Sequence, residues 1–360
     1  MIPLAMSALA EADAPFVTRL RTGELSRAGA NDSVLVARGE EASSFAGAHG
    51  LLTVATDDPA QLHGDVVIVD PEAGRIDRVL RAGSLHNTLL VTERCDQLCV
   101  MCSQPPKKTH HDRFAQFEQA CLLAEEYAVI GVSGGEPTLY KDALLGMMMR
   151  VLEQRPDLAF HVLSNAQHFE EADVARLRHP VMDRVTWGIP LYAADAGLHD
   201  RIVGKAGAFA RLEASMAVLA LSGARIELRT VVLQENVAAL AATARYVATR
   251  LRFIEAWSIM QLEHTGFARN RWGALYYPHA GDFSPIEAAL DEAALRGLAA
   301  RLFNFPRCTV PEPYRYLAVA SISDWKRKYV EACASCSEKS ECCGFFDWHP
   351  DSALEGVHPL

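Results

Sequence analysis

Three cysteines spaced C-x3-C-x2-C, Cys95, Cys99 and Cys102, stand directly after the apolar run Thr88-Leu89-Leu90-Val91. Each iron of a four-iron cluster wants a cysteine sulfur, so three thiolates on one loop leave one iron open for another ligand. A share in a zinc site is the competing assignment, although zinc knuckles usually pair their ligands as C-x2-C or C-x4-C. A second signal follows in Ile130-Gly131-Val132-Ser133-Gly134-Gly135-Glu136-Pro137-Thr138, where an apolar strand runs into a Gly-Gly-Glu-Pro turn. Two adjacent glycines let the backbone come close to a ligand because no Cβ intervenes. A carboxylate at that turn can bind a cationic amine.

The elements that must position these residues alternate along the chain. Helical periodicity covers Phe114 to Tyr127, Ala143 to Glu153, about Glu170 to Leu177, Ala208 to Leu221 and Val237 to Arg250. Short apolar strands cover Ala128 to Val132, Ala159 to Leu163, Arg184 to Ile189, Ile226 to Leu233 and Ile254 to Leu262. Counting from Thr88, this predicts six β-α units in order, with parallel pairing and right-handed crossovers. Both motifs then fall at C-terminal strand ends, where barrels of this kind carry their active groups. Ser164 and Asn165 close the third strand, and Arg229 lies in the fifth. The Arg229 guanidinium suits either a bidentate carboxylate contact or a barrel-wall salt bridge. Val231 and Val232 read as core by default.

Before the barrel, residues 14 to 85 hold apolar pieces at Val34 to Val36, Leu51 to Val54 and Asp65 to Asp70. Gly, Asp and Pro split them, which predicts a small strand-rich domain. Past Gly266 the pattern reads as a loop with Trp272, Tyr276 and Tyr277, then helices around Ile286 to Phe303. Six further cysteines are Cys121, Cys308, Cys333, Cys336, Cys342 and Cys343. Cys121, alone in a predicted helix, reads as a buried small apolar residue.

Composition limits the classes available. With 360 residues, half of them apolar and 22% charged, the chain is long enough for two or three domains and a sizeable core. Residues Met1 to Val17 lack a basic n-region and carry Glu11 and Asp13, so no signal peptide is expected there. No run is long and apolar enough to span a bilayer. Nine cysteines at metal-ligand spacings read as cluster ligands rather than disulfides, with a cytoplasmic location. A formal net charge of −10 argues against a general nucleic-acid surface.

The cysteine loop, its preceding strand and the Gly-Gly-Glu-Pro turn resemble the radical S-adenosylmethionine (SAM) superfamily. The resemblance implies an α/β fold, a partial (β/α)6 TIM-like barrel. It implies that Cys95, Cys99 and Cys102 hold a [4Fe-4S] cluster whose open iron takes the amino and carboxylate groups of SAM. Gly134, Gly135, Glu136 and Pro137 match the turn that holds the SAM amino group. Ser164 and Asn165 stand where the family places ribose or carboxylate contacts, and Arg229 is a candidate for the SAM carboxylate. Met101 departs from the aromatic residue that many members carry before the last loop cysteine, and a thioether can fill similar space.

The spacing Cys333-x2-Cys336-x5-Cys342 resembles that of the SPASM and twitch extensions, which carry auxiliary clusters. Cys308 can add the fourth sulfur, completing one auxiliary [4Fe-4S] cluster; a four-cysteine zinc site is the alternative. Cys343 either replaces Cys342 or is a spectator. No cysteine stands four residues after Cys342, where Phe346 lies, so one auxiliary cluster is expected rather than two.

More narrowly, the chain resembles the His-Xaa-Ser system radical SAM maturases of the HxsC type. The residues concerned are Asn87 to Cys95, Met101 to Pro106, Gln261 to Ala268 and Ser323-Asp324-Trp325. The expected division is residues 1–85 as a small strand-rich N-terminal domain, 86–266 as radical SAM core and 267–360 as SPASM/twitch-like auxiliary-cluster extension. It also implies reductive cleavage of SAM to a 5′-deoxyadenosyl radical and hydrogen abstraction from a ribosomally made peptide. The partners implied are a His-Xaa-Ser precursor, a second radical SAM protein and a low-potential electron donor. A cofactor-biosynthesis cyclase, an activase and an RNA-modifying enzyme are the alternatives within the superfamily. A non-catalytic iron–sulfur or zinc scaffold or redox sensor is the alternative outside it. His199, after the fourth strand, either contacts substrate or serves locally by capping the next helix or bonding Asp200.

Overall fold

In the computed structural model, which describes residues 3–23, 29–354 and 356–360, seven N-terminal strands roll into a barrel. They are β1 (Ala5–Ala10), β2 (Phe16–Arg21), β3 (Asp32–Arg38), β4 (Ser43–Gly47), β5 (Gly50–Val54), β6 (Val66–Asp70) and β7 (Arg75–Leu80). The barrel closes in the order β1-β5-β4-β3-β2-β6-β7, with β7 returning to β1 through Ala5↔Asp77. Closure leaves no unpaired edge. Leu20, Phe45, Leu52, Val67, Val69 and Ile76 fill the interior, none more than 1% exposed. The three apolar pieces foreseen here belong to β3, β5 and β6.

The remaining strands are β8 (Thr88–Thr92), β9 (Val129–Gly134), β10 (Ala159–Leu163), β11 (Val185–Pro190), β12 (Arg225–Val232), β13 (Ala256–Gln261) and β14 (Ala300–Phe303). They follow one another in a single sheet. The registers from β11 to β14 are parallel, as in Ile189↔Leu228, Leu228↔Trp257 and Ile259↔Leu302. The helices are α1 (Phe114–Leu122), α2 (Lys141–Gln154), α3 (Val174–Leu177), α4 (Ala196–Val203), α5 (Ala208–Ser222), α6 (Leu240–Arg250), α7 (Gly266–Leu275) and α8 (Ser284–Leu295). In α5 the buried Phe209, Leu212, Met216 and Leu219 recur every three to four residues, which makes one apolar stripe. Strand β12 buries Ile226, Leu228, Thr230 and Val232, leaving Glu227, Arg229 and Val231 on its other face. This α/β architecture is consistent with a partial TIM-like barrel.

Four local expectations change. The sheet has a seventh strand, because β14 occupies part of the stretch read as helix. Residues 266–275 are helix α7 rather than loop. The helix expected over residues 170–177 is only α3 after a single 3-10 turn, and α4 was not foreseen. Packing divides the chain into two compact units. One comprises Met1–Val91, His111–Ser133 and Asp142–His161; the other comprises Thr92–His110, Gly134–Lys141 and Val162–Leu360. The cysteine loop, the Gly-Gly-Glu-Pro turn and the C-terminal cysteines all lie in the second. Among the described residues no helix is long and apolar enough to cross a membrane.

Candidate functional site

The loop carrying Cys95, Cys99 and Cys102 is held mainly through its backbone. On one side, Gly135 N–H donates to Thr92 O at 2.8 Å and Glu136 N–H donates to Arg94 O at 2.7 Å. A Cβ on Gly135 would stand 2.1 Å from Arg94 O, so the glycine is required for the two motifs to touch. At the other end, Phe267 N–H donates to Cys102 O at 2.9 Å, and Gly266 (φ 55°) lies where a Cβ would meet that oxygen at 2.2 Å. Arg271 Nη1 donates to Val100 O at 2.9 Å. Helix α7, absent from the sequence reading, therefore braces the last third of the loop.

Glu136 is fully buried. Its Oε1 accepts from Thr138 N (2.8 Å), Thr138 Oγ1 (2.5 Å) and Ser164 Oγ (2.8 Å), and its Oε2 accepts from Asn165 N (2.6 Å). Burial pushes its carboxyl pKa up, against the pull of these donors. The carboxylate thus ties the turn after β9 to the end of β10. Asn165 extends the tie, because its Nδ2 donates to Asp96 Oδ1 at 2.8 Å and lies 4.0 Å from Cys95 Sγ. Pro137 opens the 3-10 turn that Glu136 caps.

Burial raises the pKa of all three loop thiols, that of Cys95 to about 11 and that of Cys99 to about 12. The Glu136 and Asp96 carboxylates and the Cys102 thiol raise Cys95 further, and Cys102 and Cys95 do the same for Cys99. Three partly buried thiols that resist ionising together form a donor set suited to a cationic metal core. Among the described residues no three His, Cys, Asp or Glu side chains converge on a single ion. A four-iron cluster takes one thiolate per iron, so its ligands have no common point.

Arg229 bonds Glu227 through Nη1, 3.2 Å from each carboxylate oxygen, and lies 5.9 Å from the Phe303 ring centre. Glu227 also accepts from Ser258 Oγ at 2.5 Å. In this structure Arg229 makes the barrel-wall salt bridge. Val232 is core, whereas half-buried Val231 packs, as Cys99 does, against the buried cluster that includes Met101. His199 lies inside α4, where its Nδ1 accepts the Tyr192 N–H at 3.3 Å and the Asp200 charge acts on its ring. Burial holds its pKa down at about 4.

Sequence reasoning missed Tyr192, a buried residue just past β11. Burial raises its phenol pKa well above the ordinary value, and the charges of Cys99, Cys102 and Cys95 add to the effect. It also missed Asp96, whose carboxylate bonds Lys205 and Asn165 and lies 3.3 Å from His168 Nε2. The position of Tyr192 at a strand end was a usable signal. A lone acid between two cysteines was not.

A second cysteine group lines one cleft. Cys308, Cys333, Cys336 and Cys342 all face it, with Tyr329, His358 and Leu360. Cys342 Sγ accepts main-chain N–H bonds from Arg307 (3.4 Å) and Gly344 (3.5 Å). A hydrogen bond with Cys343, then these donors and the Arg307 charge, lower its pKa to about 6. Cys343 itself is fully buried, packs with Ile322 and Phe346, and is absent from the cleft lining. Cys121 is also fully buried.

Residues 89–247 match the family model described as the radical SAM superfamily, which supports a radical SAM core over that segment. No curated protein matches the chain. Among solved structures, the chain is similar to Streptococcus suis SuiB bound to S-adenosylmethionine at 17% identity and TM-score 0.49, over 60% of this chain and 49% of that one. It is similar to native anSMEcpe with bound AdoMet at 14% identity and TM-score 0.44, over 60% of this chain and 62% of that one. It is also similar to a radical SAM methyltransferase from Sphaerobacter thermophilus at 16% identity and TM-score 0.45, over 72% of each chain. The chain spans about half the length of the SuiB structure.

Proposed function

We propose that this protein is a radical SAM enzyme that matures a ribosomally made peptide, with a His-Xaa-Ser repeat precursor as substrate. The observation that carries the enzymatic part is the direct backbone docking of the cysteine loop on the Gly-Gly-Glu-Pro turn. Two unrelated metal and turn motifs have no reason to share hydrogen bonds at Thr92 and Arg94. The family match over residues 89–247 agrees. The peptide substrate and a second radical SAM partner rest on the resemblance of Asn87 to Cys95, Met101 to Pro106 and Gln261 to Ala268 to the HxsC-type maturases. The division at residues 85 and 266 follows the radical SAM core that this reading assigns.

In this reading Cys95, Cys99 and Cys102 hold a [4Fe-4S] cluster. When bound, such a cluster supplies a low-potential electron to SAM for the start of radical chemistry. The chain's own residues orient and enclose. Glu136 offers the remaining lone pair of Oε2 to the cofactor's ammonium while its other bonds keep the turn rigid. Ser164 and Asn165 carry that rigidity into the end of β10. Arg229 can exchange Glu227 for a carboxylate of the ligand, a bidentate pairing its fork favours. Tyr192, Met101 and Val231 shield the thiols from water. Cys308, Cys333, Cys336 and Cys342 hold an auxiliary cluster, and Cys343 packs beside it.

Anaerobic reconstitution with iron and sulfide, followed by dithionite and SAM, tests the proposal. About eight irons per chain are expected, with 5′-deoxyadenosine formed and its formation lost in Cys95→Ala. About four irons plus one zinc would make the C-terminal group structural. An intact cluster that never yields 5′-deoxyadenosine, with or without the peptide and partner, would reject the enzyme.

A further inference from the structure

The cysteine loop has a template that no motif marks. Three contacts run antiparallel along it, pairing residues 96, 98 and 100 with 205, 203 and 202. Val100 N–H donates to Ile202 O at 2.9 Å, Leu98 N–H donates to Val203 O at 3.0 Å, and Lys205 Nζ bonds the Asp96 carboxylate. Gly204, with φ 65°, lies where a Cβ would meet Leu98 O at 2.6 Å, so the end of α4 sits directly against the loop. The bound positions alternate with Cys95 and Cys99, which leaves those thiols outside the pairing.

Asp96 takes a further donor from Asn165 Nδ2 at 2.8 Å, and His168 Nε2 lies 3.3 Å from its carboxylate. An isolated ion pair with a third of the lysine exposed contributes little. Two donors, Lys205 and Asn165, on one carboxylate that already sits in a backbone-paired segment act together. We infer that residues 202–205 are the template of the cysteine loop and that the Asp96–Lys205 pair is its latch, both residues positioning Cys95 and Cys99. The latch orders the loop in the metal-free chain, so cluster uptake meets a loop already in register.

Hydrogen exchange and thiol alkylation of the metal-free protein test this. In Lys205→Met and Asp96→Ala, the Leu98 and Val100 amides should exchange roughly tenfold faster than in the parent. Iodoacetamide should label Cys95 and Cys99 correspondingly faster. Lys205→Arg should restore most of the protection, since it returns the charge. Arg201→Ala, which removes only the exposed pair with Glu235, is the control. The inference fails if Lys205→Met and Asp96→Ala match the control, or if Lys205→Arg protects no better than Lys205→Met. Should a variant lose its global fold by circular dichroism, Asp96→Asn keeps the shape and removes the charge, and the same readout then decides. A parent protein that binds no iron would overturn the proposed function, while the exchange data would still judge the latch.

Discussion

Gly135 and Glu136 act first as fasteners. The contact of Gly135 with Arg94 O is backbone against backbone, so neither side can give way cheaply. Gly135→Ala should lower unfolding stability by roughly 1–3 kcal/mol, measured as a shift of the urea midpoint. Gly273, inside α7 with open space around its Cα, is the contrast. Gly273→Ala should be neutral or raise stability by about 0.5–1 kcal/mol, the usual helical gain. Glu136→Ala would strand the donors of Thr138, Ser164 and Asn165 in the interior. A loss of about 3 kcal/mol or more is expected in the same assay, with Glu136→Gln losing less because it keeps one acceptor oxygen.

At the level of elements, the N-terminal barrel holds a buried ion pair whose two side chains are each under 5% exposed. Arg78 Nε donates to Asp65 Oδ2 at 2.6 Å, and its other nitrogens reach Pro3 O and Gln61 O, both at 3.0 Å. Removing the cation alone leaves a carboxylate without its counter-charge. Arg78→Leu should cost roughly 3–5 kcal/mol in chemical unfolding, with part of the loss recovered in Arg78→Leu/Asp65→Asn. If the double variant is no better than the single, the cost lies in the lost main-chain bonds rather than the stranded charge. Helix α7 teaches a related lesson. Gly266, Asn270 and Gly273 disfavour a helix locally; burial of Ala268 and Leu275 and the contacts to Cys102 and Val100 impose it.

Across the whole molecule, acid should be the weak side. His199 and His279 are buried and neutral, with pKa values pushed down by burial to about 4 and about 3 from 6.5. His279 is locked between Gln261 Nε2 (2.6 Å) and Thr309 Oγ1 (2.8 Å), which leaves no site for a second proton. Below about pH 6.5 the unfolded chain takes up protons that the native chain refuses, so stability rises with pH across this window. The contribution is complete above that value and drains away as pH falls towards 4. Urea midpoints from pH 7.5 down to 4.5 should decline steadily, and His199→Asn/His279→Asn should flatten the slope. A slope unchanged in that variant would assign the acid sensitivity to other groups.

The residues proposed to carry the chemistry stand out in the sequence because cluster ligands and close-approach glycines would need particular residue types at particular spacings. Cys95, Cys99, Cys102, Gly134, Gly135 and Glu136 were singled out by type and spacing, and the two segments that carry them dock on one another; the alternation of strands and helices from Thr88 to Gln261 was legible as well. Asp195 and Gly204, the two caps of α4, were readable signals passed over. Other features depended on tertiary contact alone: the turn of residues 266–275 into helix, the partnering of Arg229 with Glu227, and the gathering of Asp96, Asn165, His168 and Lys205. The reason is physical. Local spacing encodes ligand geometry and periodicity, whereas an ion pair between residues 96 and 205 exists only after the chain has brought them together.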